Sequence, residues 1–552
     1  MRPVGTLGTE DRWPWWATAM LWAGIAVGWF LIVWNVRKPI TLHGDEAMLL
    51  LNIVELDVLD YAGPLKHYQI APFGFMAMVR AAIALFGLSE WSVRLVPALA
   101  AAASLPLFAV MVRRLCAPLA GLLVTAGFVG SQEWILQACR VKPYTLDVFL
   151  TLVMLMIGLR LLDRRCSWRA AAGAAVVAAV GTWCSVAFYL VLPAVGLFLL
   201  ASRFWGPARR DWLRLITIGL VGAAAGAVHY FWVLKVQEGA GDTAQYMSAF
   251  WARGFLPVPF LDPRRFAVRL QLSAGDATQL ALPGLVLGLA LLGLAAAVAQ
   301  RSARGLLIAA PLLLASLASM LWVYPLAHRL ALFIAPSLYL LLAWGLTTVQ
   351  RSVGGRLGVV AVLIAGALML SKPFDGRGQA IFEDDLAPVL RQVHAQLEPD
   401  QRIYLYYGGE NTYDFYAKHL APELAFDENR LTRGQSHRDN WLGFDDEIRT
   451  LAQTPGEVWL VFSHVTPFSG VDERKYFRLL LDRYGQSLRR IDEIAAYAVL
   501  WQPTPTPAEL PSNPAAVAAE PSLGHTTATD TDAEAAAQIP DEPADRPPQP
   551  AP

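Results

Sequence analysis

The 552-residue chain is 55% hydrophobic and 16% charged, with a mean hydropathy of +0.40; soluble domains carry about 25% charged residues. Those figures exclude a disordered protein and argue against an ordinary soluble enzyme. Forty-five basic residues balance forty-five acidic ones, so no basic excess exists to neutralise phosphates, and nucleic acid is not an expected partner.

Four cysteines in this length make no disulfide framework. The chain reads as an integral membrane protein whose first partner is the lipid bilayer. A helix needs about 20 apolar residues to cross ~30 Å of hydrocarbon. Eleven segments qualify, near 15–36, 93–112, 116–133, 145–162, 169–183, 185–201, 214–232, 279–299, 305–323, 329–349 and 356–371. The pair 169–183 and 185–201 needs a tight turn at Cys184; one tilted helix there would change the parity. Alternation places 113–116, 160–169, 203–214, 301–304 and 351–356 on one side, with 14 Arg in 36 residues. The loops 37–90, 131–144, 233–278 and 324–329 hold 12 Lys or Arg in 120 residues. The arginine-rich side is expected to be cytoplasmic. That puts the N-terminus inside and the C-terminus outside, in a multi-pass protein of the plasma membrane.

In the first outer loop, 46–60 has apolar positions at helical spacing. Residues 70–87 are apolar but broken by Pro72, Gly74 and Arg80, which predicts a helix lying along the interface. The loop 233–278 is rich in Trp, Phe and Pro. Residues 1–371 form the membrane domain. Residues 375–502 read as a small α/β domain, with strand-like runs at 402–408, 458–463 and 495–502 and a helical pattern at 473–485. The tail 503–552, with 12 Pro and 8 acidic residues, is expected to be disordered.

Charges beside a bilayer need a reason, because each costs at least ~2.5–3.5 kcal/mol at its centre. Three groups stand out, all on the outer side. The first is His43-Gly44-Asp45-Glu46. As a helix start it has a structural reading, with Asp45 as an N-cap. Its functional reading makes one carboxylate a general base for an acceptor hydroxyl, while the other binds a cation or orients substrate. The second is Lys66-His67-Tyr68-Gln69. It is either a polar loop beside lipid or a source of cations for a phosphate; His67 lacks the spacing of a metal site. The third combines Arg140, Lys142, Tyr144 and Asp147 with Tyr324, His328 and Arg329, at the outer ends of two spans. Snorkelling and an aromatic belt account for such residues singly. Asp147, at or inside the first turn of its span, calls for a partner such as Arg140 or Lys142. Cys139 and Cys184 both fall near the outer face, but nothing fixes their distance.

An acidic pair facing several cations beside lipid suits a phosphate-bearing lipid whose head group is transferred. A lipid or glycan flippase is the competing class; it would show broken helices near the midplane and repeat symmetry, neither of which is clear in the sequence.

At these residues the chain resembles the bacterial protein O-mannosyltransferase-like family, GT-C class glycosyltransferases that use polyprenyl-phosphate sugars. The resemblance lies in GDEAMLLLNI (44–53), KHYQIAPFGFMAMVRAAIALFGLSEWSVRLVPAL (66–99), ACRVKPYTLDVFLTL (138–152) and HRLALFIAPSLYLLLAWGL (328–346). It covers roughly residues 10–371 and is similar to the subgroup of galacturonosyl and aminoarabinose transferases. The resemblance implies a mainly α, polytopic GT-C bundle with interfacial helices in the first outer loop over a cavity. It implies inverting transfer of a hexosyl or pentosyl unit from a polyprenyl-phosphate-linked sugar to a lipid, glycan or protein acceptor. It maps the catalytic acid onto Asp45 with Glu46 beside it, the span-four acid onto Asp147, and a phosphate-binding lysine onto Lys66; Arg140, Lys142 and Arg329 are the further phosphate candidates that the outer-face cations supply. His67, Tyr68, Tyr144, Tyr324 and His328 would complete the pocket. The chain departs from relatives with two prolines at Ala71-Pro72-Phe73, so the phosphate ligand and any divalent metal cofactor stay open.

Overall fold

Long runs of Leu, Ala and Val bounded by Pro, Ser or Asp become helices, because straight-chain and small residues lose little freedom there. The computed structural model describes residues 13–38, 41–163, 166–204, 211–371, 385–438, 440–465 and 471–504. Helix α1 (Trp15–Val36) is followed by α2 (Gly44–Glu55), α3 (Phe73–Phe86), α4 (Glu90–Val93) and α5 (Leu95–Leu115). Then come α6 (Pro118–Gly130), α7 (Gln132–Ala138), α8 (Tyr144–Asp163), α9 (Trp168–Cys184) and α10 (Phe188–Phe204). Helix α11 (Trp212–His229) runs through a π turn, Tyr230–Leu234, into α12 (Lys235–Glu238). The bundle is completed by α13 (Thr243–Trp251), α14 (Pro263–Thr278), α15 (Pro283–Ala299), α16 (Ala303–Met320), α17 (Ala335–Val353) and α18 (Gly355–Leu370). A 3-10 segment, His328–Ile334, leads into α17.

All eleven segments expected to span are helical over most of their length. Among the described residues, length and apolarity single out six helices able to cross a bilayer, and two bent pairs raise the number to eight. The expected eleven therefore includes shorter helices, among them Phe188–Ser202 and Gly355–Leu370. The doubtful pair is two helices: α9 stops at Cys184, Ser185 turns extended, and its hydroxyl caps the Phe188 amide at 3.1 Å. Helix α3, at about 21 Å, is too short to cross ~30 Å of hydrocarbon, as the interfacial reading requires.

The two bends were not legible in the sequence. Helices α6 and α7 meet at 49° and α14 and α15 at 94°. Ser131 causes the first, since its side chain accepts from the Trp134 amide and starts a new helix. At the second, Gln279 and Leu282 both adopt left-handed φ, near +54° and +56°. A close crossing in the bundle joins α15 and α17. There Gly293 lies against the backbone of Leu341, and Gly345 lies against the backbone of Leu289.

The C-terminal domain contains α19 (Leu386–Gln396), β1 (Arg402–Leu405), α20 (Glu410–Phe415), β2 (Leu431–Arg433), α21 (Leu442–Gln453), β3 (Val458–Ser463), α22 (Glu473–Tyr484), β4 (Gly485–Glu493) and β5 (Ala496–Pro503). Its sheet has the order β2-β1-β3-β5-β4. β1 is parallel to β2 and β3, while β5 is antiparallel to β3 and β4. The fully buried central strand β3 reads VWLVFS, as a strand covered on both faces must. One side of the sheet packs under α21 and α22; the other joins the core of the bundle through α19, Ile403 and Trp459. Of the tail expected to be disordered, residues 505–552 lie outside the described residues.

Candidate functional site

Helix α2 begins with a reciprocal cap. The His43 Nδ1 accepts from the Asp45 amide at 3.1 Å, and the Glu46 carboxylate accepts from the His43 amide at 3.0 Å. Histidine, not Asp45, is therefore the N-cap, and Asp45 is left with its side chain for other work. Glu46 is 1% exposed, and its second oxygen accepts from the Val141 amide at 2.7 Å. Both of its oxygens hold backbone, so it fastens the segment 139–143 to α2.

That fastening brings Lys142 to Asp45. The Lys142 Nζ donates to Asp45 Oδ1 at 3.0 Å and to Gln69 Oε1 at 2.9 Å. Arg329 approaches the other carboxylate oxygen at 2.7 Å. Its guanidinium lies over the rings of Tyr144 and Trp251, 5.6 and 5.9 Å from their centroids. Asp276 positions it: the carboxylate accepts from the His328 amide at 2.7 Å, where His328 takes a left-handed φ of 48°. Two distant segments thus converge on one carboxylate. Burial alone would raise the Asp45 pKa, but Lys142 and then Arg329 outweigh it and hold the carboxyl well below its usual range. Burial pushes the Lys142 ammonium below the ordinary lysine value, against the pull of Asp45.

The other expected residues divide. Tyr144 joins the site through Arg329. Tyr324 donates to the Leu330 carbonyl at 3.3 Å and thereby shapes the same 3-10 segment. Arg140 is buried two residues before Lys142, and its carbonyl accepts from the Lys142 amide. Asp147 is buried near Ser185 and leaves one oxygen without a hydrogen bond; of its two expected partners, Lys142 pairs with Asp45 instead. His67 and Tyr68 occupy two consecutive left-handed positions, φ 61° and 54°. Tyr68 stacks on Tyr246 at 4.8 Å. Burial lowers the His67 pKa and favours neutral imidazole.

Lys66 is not brought to Asp45. Its ammonium is 58% exposed and pairs with Glu55 at 2.8 Å, at the far end of α2. Ten residues of helix separate Asp45 from Glu55, about 15 Å. His419 of the C-terminal domain reaches the same Glu55 at 3.4 Å.

Among the described residues no group of three or more His, Cys, Asp or Glu is placed to hold a metal. Asp45 faces two cations and Asp147 faces Ser185, so these carboxylates do not form a divalent-metal donor set. All four cysteines are free, so Cys139 and Cys184 are not bridged. Trp251 is a site residue that sequence reasoning did not single out, because it is one aromatic among many in its loop. Gln69 was named only as the end of the Lys66–Gln69 group, and it is the member of that group that reaches Lys142.

The C-terminal domain closes against this end of the bundle. The Tyr416 hydroxyl donates to Glu90 at 2.5 Å and accepts from the Leu42 amide at 3.1 Å. The Thr41 hydroxyl accepts from the Ala387 amide at 3.3 Å. His464, just past β3, meets the His43 ring edge-on at 4.9 Å.

No family model matches the chain, and no curated protein sequence matches it. Solved structures do. An oligosaccharyltransferase of Archaeoglobus fulgidus, solved with zinc and sulfate, is 13% identical and superposes with a TM-score of 0.50 over 87% of this chain and 72% of its own. ArnT from Cupriavidus metallidurans, bound to undecaprenyl phosphate, is also 13% identical, with a TM-score of 0.48 over 88% of this chain and 98% of its own. The chain has the fold of the GT-C glycosyltransferases.

Proposed function

We propose that the protein is a membrane glycosyltransferase that moves a sugar from a polyprenyl-phosphate donor to an acceptor hydroxyl, with inversion at the anomeric carbon. The observation that carries this reading is the Asp45 carboxylate between Lys142 at 3.0 Å and Arg329 at 2.7 Å, at one end of a GT-C fold. Two fixed cations next to a base are what this transfer needs. The acceptor oxygen forms a bond to the anomeric carbon as the bond from that carbon to the phosphate oxygen breaks. Asp45 takes the hydroxyl proton, and the bond pair leaves on the phosphate, whose growing charge Lys142 and Arg329 neutralise. Gln69 orients the lysine, Glu46 holds the two arms of the site together, and Trp251 keeps the arginine in place. The acceptor is a lipid, glycan or protein on the extracytoplasmic face of the plasma membrane, beside the docked C-terminal domain.

Mass analysis of lipids and envelope glycans in a deletion strain tests the reading. Complementation with the wild-type chain restores one sugar modification, and an equally abundant Asp45→Asn protein does not. General-base removal costs typically 10²–10⁴ in rate. Full restoration by Asp45→Asn would remove Asp45 from the mechanism.

A further inference from the structure

We propose that Asp45 is a reversible stand-in for the donor phosphate: in the donor-free protein it occupies the two cations, and the donor displaces it from them. The inference rests on the glycosyltransferase reading and adds an order of events to it. The side chains of Asp45, Lys142 and Arg329 are only 24%, 9% and 22% exposed, so solvent does little to screen their competition. Lys142 divides its donors between Asp45 and the neutral Gln69 oxygen. Arg329 is incompletely used. Its contact with Asp45 Oδ2 is an ion pair without hydrogen-bond alignment, and its Nε is buried with no hydrogen-bond partner. A planar fork of donors suits a phosphate better than this one-oxygen contact.

Charge balance gives the arrangement a cycle. One carboxylate and two cations leave a formal charge of plus one, which a monoanionic phosphodiester donor brings to zero. Once the phosphate takes over the cations, Asp45 is a free carboxylate beside the bond that reacts. Transfer moves the acceptor proton to Asp45 and creates a phosphate monoester with two negative charges. The site again sums to zero, because Asp45 is now neutral. Loss of that proton to water restores the carboxylate, which repels the product phosphate and reclaims Lys142 and Arg329. The same side chain thus serves as base and as the anion that clears the product. A carboxylate latched by both cations is a weak base, so acceptor is not activated before donor arrives.

Undecaprenyl phosphate, the monoester product, is the probe, and its binding to the full-length protein in nanodiscs is measured by native mass spectrometry. Lys142→Gln and Arg329→Gln are expected to weaken binding about tenfold or more. Asp45→Asn, which abolishes transfer, is expected to tighten it by a similar factor, because the competing anion is gone. Tightening also proves that the variant is folded. If Asp45→Asn binds equally or more weakly while the two cation variants lose affinity, the stand-in role is wrong and the glycosyltransferase reading survives. If neither cation variant changes binding, both fall.

Discussion

At the residue scale, the proposed chemistry turns on ionisation of Asp45, and its environment sets a pH signature. Its folded-state pKa lies below the ordinary carboxylate value of about 3.9. The stability its ion pairs confer is therefore fully present above that pH and is lost only as pH falls through the folded value. Protonation of the His43 Nδ1 would break its bond to the Asp45 amide, so the test uses a cap without that nitrogen. In a His43→Asn protein, whose amide oxygen can cap without titrating, the acid limb of kcat/KM should lie below pH 4. The limb of kcat should lie higher, because bound donor has taken the cations. A shared limb near pH 6 would contradict that sequence. Glu46 makes a different kind of prediction. Glu46→Ala strands two buried backbone amides, His43 and Val141. The expected cost is roughly 2–4 kcal/mol of stability, read as a fall in melting temperature, together with weaker polyprenyl-phosphate binding as Lys142 drifts from Asp45. Normal binding would show that the segment 139–143 is fixed by other contacts.

At the scale of elements, α2 works as a ruler. Its N-terminus presents Asp45 and its C-terminus presents Glu55, so the two charged clusters at Lys142 and Lys66 cannot merge. This separation was not legible in the sequence. Lys66 was as good a phosphate ligand as Lys142 until a helix of 12 residues put it at the wrong end. Asp45 and Arg329 were legible because each is an ionisable residue beside a long apolar run, where charge is costly. The strands β1, β3 and β5 were legible from their apolar content. β2 and β4 were not, because edge strands such as GQSLRRIDE carry charge and lack the burial that writes a pattern. The bundle depends on close crossings, and α15 against α17 is the one that sets the base of the site, since α17 continues from the segment bearing Arg329. Gly293→Val should force these backbones apart. The expected result is a fall in thermal stability in detergent and a loss of transfer that Gly293→Ala shows more mildly. An unchanged melting temperature for both variants would mean that the helices can separate at no cost.

For the whole molecule, the bundle and the C-terminal domain share one core and meet at the end that carries Asp45. Tyr416 bridges them through Glu90 and the Leu42 amide, one residue before the His43 cap. Tyr416→Phe keeps the ring and deletes both bonds. Hydrogen exchange of the 41–55 segment should then rise and transfer should fall severalfold, without unfolding of either part. Unaltered exchange would place the connection elsewhere. The most direct test of the account is release of free polyprenyl phosphate by the purified full chain in lipid vesicles, supplied with polyprenyl-phosphate sugars and envelope acceptors. The account predicts acceptor-dependent release by the wild type and its loss, at 10²-fold or more, in Asp45→Asn, Lys142→Gln and Arg329→Gln. Equal release by all four proteins would contradict it.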